Sequence, residues 1–396
     1  MAVAIALPFI LACERRVDAP ALPPATGGSS SPRPDTDPDP VADASPPPPE
    51  LLARDEGIPR ALRLDDTHVF WGTQATGDCC AEVRAVPKTG GKPVTVFAAP
   101  RQLNVEGAVS YAARVLELLV DRDWIFVRIA ENQTVPRNDG PVFHRSETSW
   151  RVSRHDGRVD VFPPEGAVDL GFEGPSSFSP EAEDLYFLKQ AEAASQYRDF
   201  FVAATSKATA VTKIATFHSD DPLMVTNWAV DGGTLYLSYD SLNGGADPYC
   251  LARAPIAGGR LEKVWCPRFP IGHIIPGTDR LFLTKYWSPA EVWTVDKHTG
   301  FAQAVAASSG NTLFLAGADD RAGVIFGVEV FYSSNGPGLS SNLFQVDVAS
   351  GARGTIDRAD APDGYANPAL SPHTAVQFDE DRVYFTRGTG VYARKR

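Results

Sequence analysis

Residues 65–71 read Asp65-Asp66-Thr67-His68-Val69-Phe70-Trp71, and residues 82–97 read EVRAVPKTGGKPVTVF. The first stretch is an acidic turn that runs into a strand of aromatic and β-branched residues. The second is a strand, a Lys-Thr-Gly-Gly turn and another strand, with turn residues where a tight hairpin needs them. Both phrases return in the same order along the chain. The first recurs at Asp121–Val127, Glu183–Phe187, Asp231–Leu237 and Thr278–Leu283, more weakly at Glu329–Tyr332, and last at Glu380–Phe385. The second recurs from Ser149, Asp199, Tyr249, Glu291 and Asn342.

Successive copies lie roughly 46 to 60 residues apart, within the range of β-propeller blades. The last copy is cut short: after Arg382–Arg387 comes Gly390-Val391-Tyr392-Ala393-Arg394, and no fourth strand follows before Arg396. Glu50-Leu51-Leu52-Ala53-Arg54, ahead of the first copy, has the look of an outermost strand. The reading predicts an all-β fold over residues 50–396, a seven-bladed β-propeller of four-stranded antiparallel blades. The N-terminal strand would complete the last blade and remove the free sheet edges. Six blades is the alternative, should the irregular 300–340 region hold one fewer.

Composition narrows the function classes. The 396 residues carry 37 Lys plus Arg against 49 Asp plus Glu, a formal net charge of −12, which argues against a nucleic-acid partner. A hydrophobic content of 43% can build a sizeable core, and long apolar runs are too few for a polytopic membrane protein. The apolar run at 1–12, MAVAIALPFILA, is shorter than the ~20 residues a membrane-spanning helix needs and has the length of a secretory signal core. Ile10-Leu11-Ala12-Cys13 resembles the bacterial lipobox, which implies a signal peptide over 1–13 and lipidation at Cys13; no Lys or Arg precedes the apolar run. Residues 14–49 hold eleven Pro in 36 positions and are expected to form a disordered, semi-rigid spacer.

With Cys13 set aside, four Cys remain. Cys250 and Cys266 flank Ala257-Gly258-Gly259 almost symmetrically, so a hairpin centred there would place them opposite each other as a disulfide. Adjacent Cys79-Cys80 can close a strained eight-membered disulfide ring that is structural, redox-active or a flat apolar contact surface; the plainer reading is a loop-stiffening disulfide or two buried thiols. Metal ligation there is disfavoured because His68 alone lies near at a usable spacing. No nucleophile elbow, zinc-protease helix, phosphate loop or dinucleotide loop is found, so no catalytic residue is named, no metal site is assigned and no cofactor is expected. Asp240–Asp247 has the oxygen-rich look of a calcium loop but lacks a closing Glu, and His218–Asp221 reads as a solvated turn. Most of the seven Trp are expected in the core. Tyr286-Trp287 is a weak candidate for ligand contact, and Arg394-Lys395-Arg396 reads as a solvated basic tail.

Taken together, the repeats resemble TolB-like and YWTD-like β-propellers of bacterial envelope proteins, above all lipid-anchored propellers of the deltaproteobacterial type. The resemblance spans residues 50–396 and implies a fold and an envelope setting rather than a substrate. The expected function is a membrane-tethered lipoprotein whose propeller is a non-catalytic binding or scaffold module. It would act as a monomer on an envelope protein or a small ligand at one propeller face. The alternative is a secreted hydrolase or lyase with its site at the channel mouth.

Overall fold

The computed structural model describes residues 48–396 apart from 55–57, 77–79, 138–139, 163–178, 182–183, 191–198, 207–211, 219–222, 242–246, 286–288, 309–311, 333–338 and 361–374. Among these the only regular elements are strands. The chain enters through β1 (Glu50–Arg54) and then runs through four-strand meanders. The first is β2 (Ile58–Leu64), β3 (His68–Thr76), β4 (Glu82–Pro87) and β5 (Val94–Ala98). The second is β6 (Ser110–Val120), β7 (Trp124–Val135), β8 (Val142–Ser153) and β9 (Val159–Phe162). Next come β10 (Ser179–Glu181), β11 (Asp184–Gln190), β12 (Asp199–Ser206) and β13 (Thr212–His218). The fourth meander is β14 (Leu223–Asp231), β15 (Thr234–Ser241) and β16 (Tyr249–Pro255), followed by the short β17 (Gly259–Arg260), which pairs with β13, and then β18 (Glu262–Trp265).

The fifth is β19 (Ile271–Pro276), β20 (Arg280–Lys285), β21 (Glu291–Asp296) and β22 (Ala302–Ala307). The sixth is β23 (Thr312–Asp319), β24 (Val324–Tyr332), β25 (Leu339–Asp347) and β26 (Arg353–Asp360). The last has only three strands of its own, β27 (Val376–Phe378), β28 (Arg382–Arg387) and β29 (Gly390–Lys395). Its fourth place is taken by β1, which pairs antiparallel with β29 in the order β1-β29-β28-β27. The first two meanders are joined into one sheet because the end of β3 pairs with β6.

Register shows how closely the copies repeat. In β4–β5, β12–β13, β16–β18, β21–β22 and β25–β26 the outermost strand carries one extra residue opposite the same point of its partner. The extra residues are Val96, Ile214, Val264, Val305 and Ile356. In the last sheet the extra residue is Leu52, on β1. A β-bulge of this kind bends the edge strand and increases its twist. Its aliphatic side chain packs into an inter-sheet core at Val96, Val264, Val305, Ile356 and Leu52. The bulge carbonyl then meets the next sheet. Gly300 (φ +72°) and Gly351 (φ +70°) lie so close to the carbonyls of Val264 and Val305 that a Cβ would stand 2.5 and 2.8 Å from them. Only Gly fits that combination of left-handed backbone and close approach. At the corresponding place the N–H of Gly91 donates to the Leu52 carbonyl at 3.3 Å.

The acidic residues of the repeated phrase are turn-formers. Asp65 accepts from the backbone N–H groups of Thr67 and His68, Asp121 from those of Asp123 and Trp124, and Asp379 from those of Asp381 and Arg382. A short carboxylate that caps its own turn holds the hairpin open for the strand that follows. The same register corrects one copy. In β24 the residues that occupy the repeat position are Ile325-Phe326, behind the Asp319 turn, and not Val330-Phe331. The strand is long enough to carry two apolar pairs, and the sequence phrase had settled on the second.

Consecutive sheets bury their faces against one another. Phe70, Val83 and Phe97 meet Val115, Ile125 and Trp150 between the first and second meanders. Phe282 and Val292 meet Leu315, Ile325 and Phe344 between the fifth and sixth. Leu52, Tyr384 and Val391 of the last sheet meet Leu62, Trp71 and Val86 of the first. Trp71, Trp150 and Trp228 are core residues, as expected, whereas Trp124, Trp265 and Trp293 are half-buried and Trp287 lies outside the described residues.

Cation–carboxylate pairs stitch neighbouring sheets at the turns. Arg154 reaches Asp65 (2.5 Å), Lys297 reaches Asp231 (2.5 Å), Arg396 reaches Asp319 (2.6 Å) and Lys88 reaches Asp379 (2.8 Å). In each case the cation directly follows the third strand of one meander and the acid lies at the first turn of the meander packed against it. The C-terminal Arg396 is therefore not the solvated residue expected: it is held by Asp319 and lies over the rings of Phe326 and Phe378. Burial alone would raise the Asp65, Asp319 and Asp379 carboxyls, but the backbone amides and partner cations outweigh it and hold all three below their ordinary value. Carboxyls depressed in the folded state contribute stability that is complete above about pH 4 and is lost as the pH falls through their lower folded values. Denaturant unfolding at stepped pH should show that loss, and Lys88→Met should make it shallower because Asp379 then titrates closer to its unfolded value.

A basic face on the first two sheets

The expected Cys250–Cys266 disulfide is present, with Cα atoms 4.1 Å apart. It follows from register: Leu251 pairs with Trp265, so the next residues outward, Cys250 and Cys266, face each other. On the chain-entropy model a loop of this length contributes about 3 kcal/mol. Asp247, Cys250 and Cys266 are the one group of possible metal ligands among the described residues, but both sulfurs are consumed by the disulfide. Cys80 is half-buried, while Cys79 lies outside the described residues, as do residues 1–47 with Cys13, residues 242–246 of the oxygen-rich loop, 219–221 of the His218 turn, and Tyr286-Trp287.

What the fold assembles instead is a row of arginines on β2, β6 and β7. In β2 the pairing with β3 slips between Arg60 and Arg63, and Ala61 in the slip has φ +48°. A left-handed alanine is strained by about 1 kcal/mol, and such strain persists where the surrounding structure holds it. The slip places Arg60 opposite Gly72. Gly72 is required there because Val115 of β6 occupies the space a Cβ would fill, 2.3 Å away. From this position Arg60 Nη2 donates to Gln74 Oε1 at 3.0 Å. Gln74 in turn pairs in register with Arg114 where β3 meets β6.

Further along the same strands, Arg128 donates to Glu117 at 3.1 Å and to Glu147 at 2.9 Å. Burial pushes the Arg63 pKa down, against the neighbouring Glu117 charge. The row therefore carries Arg60, Arg63, Arg114 and Arg128 against Glu117 and Glu147. In a chain with a net charge of −12 it is a local excess of positive charge. None of these arginines belongs to a motif, so sequence reading passed over them. The available signal was arginine inside strands whose neighbours are apolar, as in Ile58–Leu64.

On the opposite face of β7, Glu131 and Gln133 are buried and hold the connection between the two meanders. Glu131 accepts from the backbone N–H groups of Gln102 (3.0 and 3.1 Å) and Leu103 (2.6 Å) and from the Tyr111 hydroxyl (2.6 Å). Gln133 accepts from the N–H of Val105 and donates to the carbonyl of Leu103. The arginine row is thus backed by a fixed segment. Elsewhere, burial lowers the pKa of His273, whose ring packs against Phe314, and raises the Asp240 carboxyl, and no described contact joins these two groups.

No protein-family model matches the chain, and no curated protein resembles it in sequence. Solved structures do resemble it in fold. Oligogalacturonate lyase from Vibrio parahaemolyticus is 10% identical with a TM-score of 0.55, over 87% of this chain and 92% of that one. The C-terminal WD40 domain of Sif2 is 10% identical with a TM-score of 0.47, over 88% and 98%. TolB from Acinetobacter baumannii is 13% identical with a TM-score of 0.40, over 79% and 68%. At such identities the likeness concerns architecture: an all-β, repeat-built chain of four-stranded antiparallel sheets of the propeller kind.

Proposed function

We propose that this chain is a bacterial envelope lipoprotein, lipidated at Cys13 and spaced from the membrane by residues 14–49. Its seven strand meanders form the blades of a propeller closed by β1, which acts as a non-catalytic binding module for an envelope protein or a small ligand. The observation that carries this reading is where the chain enters. The strand directly after the Pro-rich segment is β1, the outer edge of the last sheet, whereas the arginine row begins on β2, at the opposite edge of its own sheet. The edge that bears the arginines is thus separate from the edge that β1 occupies, and a ligand would be met there. Pairing of β1 with β29, and the packing of Leu52 between the last and first sheets, support closure because they occupy an edge that would otherwise stay open.

Fractionation tests the anchoring. Wild-type protein is expected in the membrane fraction with a lipid-bearing N-terminal peptide, and Cys13→Ala is expected to move it to the soluble fraction. If Cys13→Ala remains membrane-bound, the lipoprotein reading is overturned.

A further inference from the structure

Four cations of this molecule are met by carboxylates: Lys297 by Asp231, Arg128 by Glu117 and Glu147, Arg387 by Asp357, and Arg353 by Glu329. Arg60 and Arg114 differ from these. Among the described residues the only hydrogen-bond acceptor for the Arg60 guanidinium is the neutral amide of Gln74, and Arg114 has none. The Nε atoms of both are buried without a hydrogen-bond partner. Burial first, and then the charge of Arg114, lower the Arg60 pKa, as two like charges sharing a partly desolvated place require.

Buried guanidinium groups are ordinarily paired, because an unmet charge is expensive to remove from water. Here two half-buried guanidinium groups, each with its Nε buried, are brought together through the β2 bulge and through the β3–β6 pairing. The Gln74 carbonyl oxygen is already used by Arg60, which leaves its amide N–H₂ as a third donor beside them. Three donor groups and two positive charges, with no described carboxylate bonded to either arginine, suit an oxyanion, since guanidinium N–H pairs match carboxylate and phosphate oxygens.

We infer that Arg60, Gln74 and Arg114 form a binding site for the carboxylate or phosphate group of a small anionic ligand. The inference deepens the binding-module reading by giving it a ligand class, yet it stands or falls apart from the membrane anchor.

The test uses the full chain carrying Cys13→Ala, with sodium glucuronate as the carboxylate probe, inorganic phosphate as the other, and sodium chloride at matched ionic strength as control. Calorimetric titration and thermal unfolding should show saturable binding of one or both oxyanions. At a hundredfold excess over Kd the midpoint should rise by about 4 °C above the chloride control. Glucuronate alone would assign a carboxylate ligand, and phosphate alone a phosphorylated one. Arg60→Gln and Arg114→Gln should each weaken binding at least tenfold. Gln74→Glu should abolish it, because the introduced carboxylate occupies the two arginines itself; that variant is also expected to fold well, since it neutralises the unmet charge. Equal responses to chloride and both oxyanions, no saturable binding, or unchanged binding in Gln74→Glu would each overturn the site. A Cys13→Ala protein that leaves the membrane but ignores oxyanions would keep the anchor reading and remove this one.

Discussion

Leu52→Asp is expected to lower the unfolding free energy by at least about 4 kcal/mol, although it changes one residue only a few positions after the Pro-rich segment. Leu52 is 3% exposed, and it packs with Trp71, Val86, Tyr384 and Val391 between the last sheet and the first. Removing its side chain forfeits a buried leucine, and the replacement leaves a carboxylate in an apolar place. The neighbouring Leu51 is 40% exposed and turns outward on the same strand. Leu51→Asp is therefore expected to stay within about 0.5 kcal/mol of wild type. Urea unfolding of the two variants measures the difference. If both are mild, β1 does not complete the last sheet in solution, and the closure proposal fails. If both are severe, the effect lies in the strand as a whole rather than in its buried side.

The second large effect is expected at Glu131. Replacing it with alanine takes the acceptor from the N–H groups of Gln102 and Leu103 and from the buried Tyr111 hydroxyl, around a carboxylate that is itself only 4% exposed. Hydrogen bonds to a charged group contribute about 1.5–3 kcal/mol each, so a loss of about 4 kcal/mol is expected after partial relaxation. Tyr111→Phe removes only one of the three donors and should cost roughly a third as much. A second readout separates this role from simple core filling. Burial, and then the bond to Glu131, push the Tyr111 phenol well above its ordinary value, so Glu131→Ala should bring its ultraviolet titration downward. A phenol that titrates unchanged would show that the carboxylate does not hold it.

Much of the fold was legible because its signals are local. An Asx turn needs only Asp65, Asp121 or Asp379 and the two residues after each, so the acidic start of each repeated phrase could be read directly. The strand–turn–strand phrase likewise needs only alternation and turn residues between the strands, all within one hairpin. The Cys250–Cys266 bond was legible for the same reason, since both cysteines belong to one hairpin. The misplaced copy at Glu329–Tyr332 shows the limit. Both halves of β24 are apolar and β-branched or aromatic, and only pairing with β23 decides which half occupies the repeat position.

The arginine row was not legible at all. Arg60 and Arg114 lie 54 positions apart, and neither belongs to a recognisable motif. Their meeting depends on a one-residue slip in β2, on the absence of a Cβ at Gly72, and on the end of β3 leaving β4 to pair with β6. The Lys88–Asp379 pair is a still longer-range case, joining residues 291 positions apart. By itself the sequence determined the period, the strands, the turns, the disulfide and the expectation of a tethered all-β domain, because each follows from residues within one hairpin or one apolar run. Only the tertiary structure decided which sheets bury which faces, that Arg60 and Arg114 meet beside Gln74, and which cations lack a carboxylate. Those outcomes depend on packing and register between distant segments, and no local propensity encodes them.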